Sequence, residues 1–131
     1  MAFNISDHPT VEFTVKPLKE ALNQIPVLDY RPTVHTDQGF QYQHRHWQIV
    51  FKDHRAFQCM SRKATCLDSA TMESFFHIMK VEVMGEQFET KAALIKAMTE
   101  WIDFYNHRRI KTKLGGKSPV KYRELTAQKA A

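Results

Sequence analysis

Apolar positions along the first part of the chain follow a helical period. They recur at intervals of three and four residues at Val11, Val15, Leu18, Leu22 and Ile25. This spacing is typical of an amphipathic helix that buries one face. Pro17 lies inside the stretch and removes a backbone donor, so we expect the helix to kink there or to begin near Thr14.

Short β-prone runs alternate with these helical stretches. Residues 33–36 read as a strand that ends at Asp37, and residues 56–60 read as a second strand. Between them, Trp47, Val50 and Phe51 share one face of a helix predicted around residues 46–52. Residues 2–5 resemble the end of a further strand. Strands that alternate with helices indicate an α/β fold.

The second half of the chain is predicted to be helical. One helix follows Asp68, a suitable N-cap, and carries an apolar stripe of Met72, Phe75, Phe76, Met79 and Val83. A long helix over residues 90–106 buries Leu94, Ile95, Met98, Ile102 and Tyr105. Ser118 followed by Pro119 is a helix-start signal, and it predicts a short last helix over residues 120–124.

Composition and charge narrow the class of protein. A chain of 131 residues is long enough for one domain, and it contains no apolar run of membrane-spanning length and no signal peptide pattern. Cys59 and Cys66 form no CxxC pair, which argues against a zinc knuckle or a redox site.

The net charge is +5, and an acid-free stretch near the C-terminus contains Arg108, Arg109, Lys111, Lys113, Lys117, Lys121 and Arg123. Such a run is either a solvated face or a surface for a phosphate backbone.

Two acids raise the possibility of a metal site. Asp37 follows a predicted strand, and open α/β sheets gather ligands at the carboxyl edge of their strands. Glu73 lies in the first turns of its helix, with Lys80 two turns later on the same face. Carboxylates from separate elements can together bind hard divalent cations. The alternative is that both acids are ordinary surface or capping residues.

Three motifs in order distinguish these interpretations. They are HTDQGFQY at residues 35–42, the segment that contains MSRK and MESFF at residues 60–76, and YNHRRIKTKLGGKSPVKY at residues 105–122. Together they resemble the C-terminal part of insertion-sequence transposases with a retroviral-integrase-type catalytic core. The signature of that family is two Asp and one Glu, with 35 residues between the second Asp and the Glu and a basic residue seven positions beyond. Asp37, Glu73 and Lys80 match this spacing.

The resemblance implies an RNase H-like α/β fold and DNA strand transfer. It assigns Asp37 and Glu73 as catalytic residues and as ligands of Mg²⁺ or Mn²⁺, with two ions in the complete family site. It also implies that DNA phosphates contact Lys80 and the basic residues of the tail, which are Arg108, Arg109, Lys111, Lys113 and Lys117. We expect the two carboxylates to lie on one edge of the sheet within about 8 Å of each other, because paired metal ions lie close together.

The family pattern also includes an earlier Asp on the first strand of the sheet. Only 36 residues precede Asp37, and neither Asp7 nor Asp29 is at a matching place. We therefore expect an N-terminally truncated core that lacks the first strands and is inactive alone. On this interpretation residues 1–125 are the partial catalytic core with C-terminal helices, and residues 126–131 are a tail.

Two other interpretations stay open at this point. The chain could be a catalytically inactive remnant that still binds nucleic acid. A zinc module built on His44 and His46 is disfavoured because the two side chains of a His-x-His pair point to different faces of a helix. We expect transposon-end and target DNA as partners, a possible homo-oligomer, no membrane contact, and a cytoplasmic, nucleoid-associated location in a bacterium.

Overall fold

The chain forms two compact units, Met1–Glu73 and Ser74–Ala131. The computed structural model describes residues 2–26, 29–60, 70–85 and 87–130. The predicted N-cap at Asp68 and the loop before it therefore lie outside the described residues. Among the described residues, no helix is long and apolar enough to cross a membrane.

The first helix, α1, runs from Val11 to Asn23. Its N-cap is Thr10, whose hydroxyl accepts a hydrogen bond from the backbone N–H of Phe13 at 3.1 Å. Of the two alternatives at Pro17, a kink or a start near Thr14, the later start is wrong, because the helix begins at Val11. Pro17 deprives the Phe13 carbonyl of its helical donor, and the side-chain amide of Asn4 donates to that carbonyl instead, at 3.2 Å.

The segment that precedes α1 is not a strand. Residues 2–6 have no regular secondary structure, so the strand predicted over residues 2–5 is also wrong. The physical reason is visible at Asn4, whose side chain bonds to a carbonyl of α1. Local β-propensity does not make a strand where the segment is held along a helix instead of in a ladder.

Two strands and two short helices complete the first unit. Strand β1 (Thr33–Thr36) pairs in parallel with β2 (Phe57–Met60), with Thr33 opposite Phe57 and Thr36 opposite Met60. Helices α2 (Phe40–Gln43) and α3 (Arg45–Asp53) connect the strands. The core contains Val15, Leu18, Leu22, Trp47, Val50, Phe51 and Ala56. The strands and the inward face of α3 are confirmed nearly as predicted.

The second unit is helical. It contains most of α4 (Ala70–Val83), all of α5 (Lys91–His107) and α6 (Pro119–Ala130), and a 3₁₀ turn over Thr112–Leu114. Its buried cluster is Met79, Val83, Trp101, Ile102 and Tyr105. Helix α6 extends well beyond the predicted residue 124, because nothing from Glu124 to Ala130 breaks a helix.

The apolar stripe predicted on α4 is partly wrong. Met72 and Phe76 are 59% and 50% exposed, whereas Phe75 and Ile78 pack against the cluster with Met79 and Val83. At 100° per residue, Phe76 lies toward the flank of the helix that also carries Glu73, whereas Ile78 lies on the other side of the stripe. Met72 lies in the first turn, ahead of the residues that pack. The buried face is therefore rotated from the predicted one.

Candidate metal and nucleic-acid site

Asp37 lies directly after β1, and a local turn holds its carboxylate. Its Oδ1 accepts a hydrogen bond from the backbone N–H of Gly39 at 2.8 Å. This bond from a side chain to the backbone two residues on is an Asx turn. Asp37 is exposed, so the turn orients a carboxylate that solvent, a cation or a ligand can still reach.

A glutamine network fixes the same end of the sheet. The side-chain amide of Gln58, on β2, donates to the Thr36 hydroxyl at 3.1 Å and to the Tyr42 carbonyl at 3.0 Å. Gln48 in turn donates to Oε1 of Gln58 at 2.6 Å. These bonds join β2, the last residue of β1, and helices α2 and α3. Gln58 is therefore a positioning residue for the Asp37 turn.

Gly39 occupies a tight place in this turn. A Cβ atom there would lie 3.0 Å from Oδ1 of Asp37, 3.1 Å from the Gln41 side chain and 3.2 Å from the Tyr42 ring. The backbone conformation of Gly39 is open to other residues, with φ at −56°. The demand for glycine is therefore steric, and it comes from the close approach of the Asp37 carboxylate.

The pKa of Tyr42 depends in part on the charge of Asp37. The pKa of its phenol is raised, first by burial of the ring and second by the negative charge of Asp37, because both disfavour the phenolate. Asp37→Asn should therefore lower the Tyr42 pKa part of the way, while burial keeps it above the ordinary value. Asn can still accept the Gly39 hydrogen bond, so the turn should be kept.

The measurement for this prediction is an NMR titration of the Tyr42 ring carbon in both proteins. Asp53→Asn removes the same charge from the end of α3 and should leave the Tyr42 pKa unchanged. The same ring signal can detect a cation at neutral pH, because Mg²⁺ bound at Asp37 should shift it in the wild type and not in Asp37→Asn. An equal Tyr42 pKa in wild type and Asp37→Asn would contradict the assigned cause.

Glu73 and Lys80 share the exposed face of α4. Seven residues correspond to about 700°, so the two side chains lie about 20° apart around the helix axis. Glu73 lies in the first turn, Lys80 in the last, and both are exposed, as is His77 between them. Lys80 is therefore accessible to a ligand, and its contact with DNA stays a prediction.

The opposite face of α4 holds an ion pair that the sequence analysis missed. Glu82 accepts two hydrogen bonds from one Nη of Arg109, at 2.8 and 2.6 Å, and one from the Trp101 indole at 2.8 Å. These bonds, and the Arg109 hydrogen bond above all, lower the pKa of Glu82, while the pKa of Arg109 is raised by the same partner. Arg109 is thus engaged inside the second unit.

Lys111 also makes contacts within the second unit, with Tyr105. Its ammonium donates to the Tyr105 hydroxyl and lies 4.5 Å from the centroid of the Tyr105 ring. Its backbone N–H donates to the Lys117 carbonyl at 3.2 Å, which closes the loop of residues 111–117. Two residues of that loop, Gly115 and Gly116, have positive φ angles of 61° and 71°, which favour glycine.

Three of the predicted DNA contacts in the tail have exposed side chains. They are Arg108, Lys113 and Lys117. Arg108 lies 3.9 Å from a carboxylate oxygen of Asp103, with both side chains more than 60% exposed, so this pair is weak and can exchange for another anion. The basic run from Arg108 to Lys117 therefore contains two kinds of cation. Arg109 and Lys111 hold the second unit together, whereas Arg108, Lys113 and Lys117 face outward.

The donor chemistry at Asp37 and Glu73 suits a hard cation. Both offer exposed carboxylate oxygens, the ligand type that Mg²⁺ and Mn²⁺ prefer. No group of three or more His, Cys, Asp or Glu side chains that could hold a metal ion occurs in the described part of the chain. Asp37 and Glu73 fit such a cation in the chemistry of their donor atoms.

The chain is similar to known integrase-core and transposase proteins. The family described as "Integrase core domain" matches residues 73–126, which include Glu73, Lys80 and all of the basic residues from Arg108 to Arg123. The putative transposase InsK for insertion sequence element IS150, from Escherichia coli strain K12, is 37% identical over 127 residues. That match covers 96% of this chain and 44% of the relative.

Two further matches agree with it. An uncharacterized transposase-like protein of Haemophilus influenzae is 40% identical over 124 residues, which is 94% of this chain and 56% of the relative. The catalytic core domain of BIV integrase has the same fold, with a TM-score of 0.66 at 16% identity over 98% of this chain and 80% of that one. The chain spans about half the length of the curated relatives. In sequence it is similar to insertion-sequence transposases over nearly its whole length, and in fold it matches an RNase H-like integrase catalytic core.

Proposed function

We propose that this chain takes part in DNA transposition by metal-dependent phosphodiester strand transfer, as part of a transposase catalytic core. The observation that supports the proposal is the sequence spacing of Asp37, Glu73 and Lys80, together with a turn-held carboxylate at Asp37 and exposed side chains at Glu73 and Lys80. The transposase relatives and the integrase fold support the same reaction class. Because these relatives are bacterial, we place the reaction in the bacterial cytoplasm, at the nucleoid.

Asp37 and Glu73 would each supply carboxylate oxygens to Mg²⁺ or Mn²⁺. When bound, the ions supply Lewis-acid activation of the attacking oxygen and charge stabilisation at the leaving 3′-oxygen. The chain's own contribution is orientation. The Gly39 hydrogen bond and the Gln58 network fix the Asp37 carboxylate before any ligand arrives, which reduces the reorganisation required at binding. That the two acids share one pair of ions stays a prediction.

The exposed cations would bind the DNA backbone. Lys80 lies on the same face of α4 as Glu73, two turns further along, and would place its ammonium on a phosphate near the reacting bond. Arg108, Lys113 and Lys117 would hold the flanking duplex without reading its sequence. Arg109 and Lys111 would act indirectly, because their contacts with Glu82 and Tyr105 hold the segment that presents the other three.

DNA binding tests this division of the basic residues. Arg108→Ala should weaken the binding of every duplex alike and reduce the slope of log affinity against log salt by about 1, since one phosphate contact is lost. The measurement is fluorescence anisotropy with duplexes of two unrelated sequences at several salt concentrations.

The matched control for this test is Lys19→Ala. It removes the same charge from an exposed position on α1 and should leave both affinity and slope unchanged. If Arg108→Ala had the affinity of the wild type, the outward cations would be merely solvated. If the wild-type chain bound no duplex, the proposed function would be wrong.

A second function is favoured by the exposed cations Arg108, Lys113 and Lys117, which could bind nucleic acid without either acid. On this alternative, the chain is a catalytically inactive transposase remnant that binds nucleic acid through its basic tail. The two functions differ in metal dependence. A catalytic core should bind Mn²⁺ at Asp37 and Glu73 and broaden their NMR signals in one titration, whereas a remnant should bind DNA with no effect of Mn²⁺ at either acid.

A further inference from the structure

A small cavity lies where the basic loop enters α6. Its volume is about 230 Å³, and it is lined by Lys117, Tyr122, Leu125 and Thr126. Three of these side chains project from α6 at positions i, i+3 and i+4, so they form one continuous face of the helix. Tyr122 is 41% exposed, which leaves part of its ring uncovered.

The lining is apolar for a specific reason. The hydroxyl of Thr126 donates within the helix, to the carbonyls of Tyr122 and Arg123 at 3.0 and 2.9 Å. Its methyl group is therefore left to line the cavity, beside the Leu125 side chain and the aliphatic stem of Lys117. The cavity has an aromatic wall and an apolar floor, which suit a flat, poorly hydrated ligand.

Lys117 lines this cavity and also carries a cation. The carbonyl of Lys117 accepts from the N–H of Lys111, and the Lys111 ammonium is held by Tyr105. The Lys117 ammonium donates to the Gly115 carbonyl at 3.2 Å, which uses one of its three donors. The remaining two can bind an anion.

The charge around the cavity favours an anionic ligand. No acid occurs between Phe104 and Arg123, whereas seven Lys or Arg residues do. Glu124, the first acid after the run, lies about 200° around α6 from Tyr122, on the other side of the helix. A ligand with an aromatic ring and a phosphate would meet complementary groups at both ends.

We propose that this cavity takes an unpaired nucleobase of DNA, which stacks on Tyr122 while Lys117 binds the adjoining phosphate. A paired base hides its faces within the stack, so only a base released from the duplex can present a face to the ring. The inference rests on the proposed function and deepens it, because it gives the chain a preference for DNA whose end is frayed.

The test compares two duplexes with the same number of phosphates. One is fully paired, and the other carries two mismatched base pairs at one end. We expect the wild-type chain to bind the mismatched duplex about tenfold more tightly, the scale of one stacked base. Tyr122→Ala should abolish this difference while it leaves the affinity for the paired duplex unchanged, and Tyr122→Phe should preserve the difference because it keeps the ring.

Two further variants complete the design. Tyr30→Ala removes another exposed tyrosine, in the first unit, and should change neither affinity. Lys117→Ala should weaken the binding of both duplexes and reduce the salt slope by about 1. A mismatched duplex that contains 2-aminopurine at the end gives a direct readout, since stacking on Tyr122 should quench its fluorescence.

The outcomes separate the inference from the function on which it rests. Equal binding of both duplexes by the wild type, or an equal loss for both in Tyr122→Ala, would overturn the base-binding inference. Loss of self-association in Tyr122→Ala with unchanged DNA binding would also overturn it and would assign the cavity to a protein partner. Failure of the wild type to bind either duplex would overturn the proposed function itself.

Discussion

Trp101→Ala should lower the free energy of unfolding by about 3–5 kcal/mol, the usual cost of removing a large aromatic side chain from a core. Trp101 is only 8% exposed, and its ring centroid lies 5.4 Å from that of Phe75 and 5.1 Å from that of Tyr105. The substitution also removes the indole donor of Glu82, so it loosens the anchor of Arg109. The measurement is urea denaturation followed by circular dichroism.

Each of the two units contains one tryptophan, so the unfolding of the first unit can be followed separately in Trp101→Ala. The chain contains only Trp47 and Trp101, so fluorescence of Trp101→Ala reports the first unit alone. Phe76→Ala removes a ring that is 50% exposed on α4 and should cost less than about 1 kcal/mol. If Trp101→Ala cost no more than Phe76→Ala, the assigned core of the second unit would be wrong.

Strand transfer should be absent from the purified chain and present in an extended form that has the full length of its curated relatives. The reason is electrostatic. Two carboxylates neutralise two divalent ions less well than three, so we expect weak metal binding by Asp37 and Glu73 without a further acid. The measurement is joining of end-sequence DNA with Mg²⁺ or Mn²⁺. In the extended form, Asp37→Asn and Glu73→Gln should each abolish joining.

The substitution Asp37→Asn is suited to this test because it keeps the acceptor for Gly39 and removes only the charge. Asp53→Asn is the matched control and should retain activity. Joining by the short chain that depended on Asp37 would refute the need for a third acid. Full activity of Glu73→Gln in the extended form would refute its assignment as a ligand.

The sequence predicted those features that depend on local patterns. The spacing of Trp47, Val50 and Phe51 predicted the inward face of α3, and the run before Asp37 predicted β1. The three motifs predicted the family and the fold. Each of these signals is carried by residues that are near one another in the chain.

Contacts between distant residues account for the errors. The side-chain amide of Asn4 donates a hydrogen bond to the Phe13 carbonyl, nine positions away in the chain. This bond replaces the one that Pro17 cannot make, and α1 continues through Pro17. The Glu82–Arg109 pair joins residues 27 positions apart, so counting charges in the tail could not show that Arg109 is occupied. Trp101, in contrast, could have been found, because it lies three residues after Met98 and four before Tyr105 on the predicted stripe.

The parallel pairing of β1 and β2 has a consequence for the order of folding. Thr33 and Phe57 are 24 positions apart, and a parallel ladder cannot form until α2 and α3 have brought the chain back across the sheet. The entropic cost of closing that loop must be met before any ladder bond forms. The docking of α3 on α1, through Trp47 and Leu18 and their neighbours, should therefore precede strand pairing. The Asp37 turn, which depends on the paired strands, would be among the last parts of the first unit to become ordered.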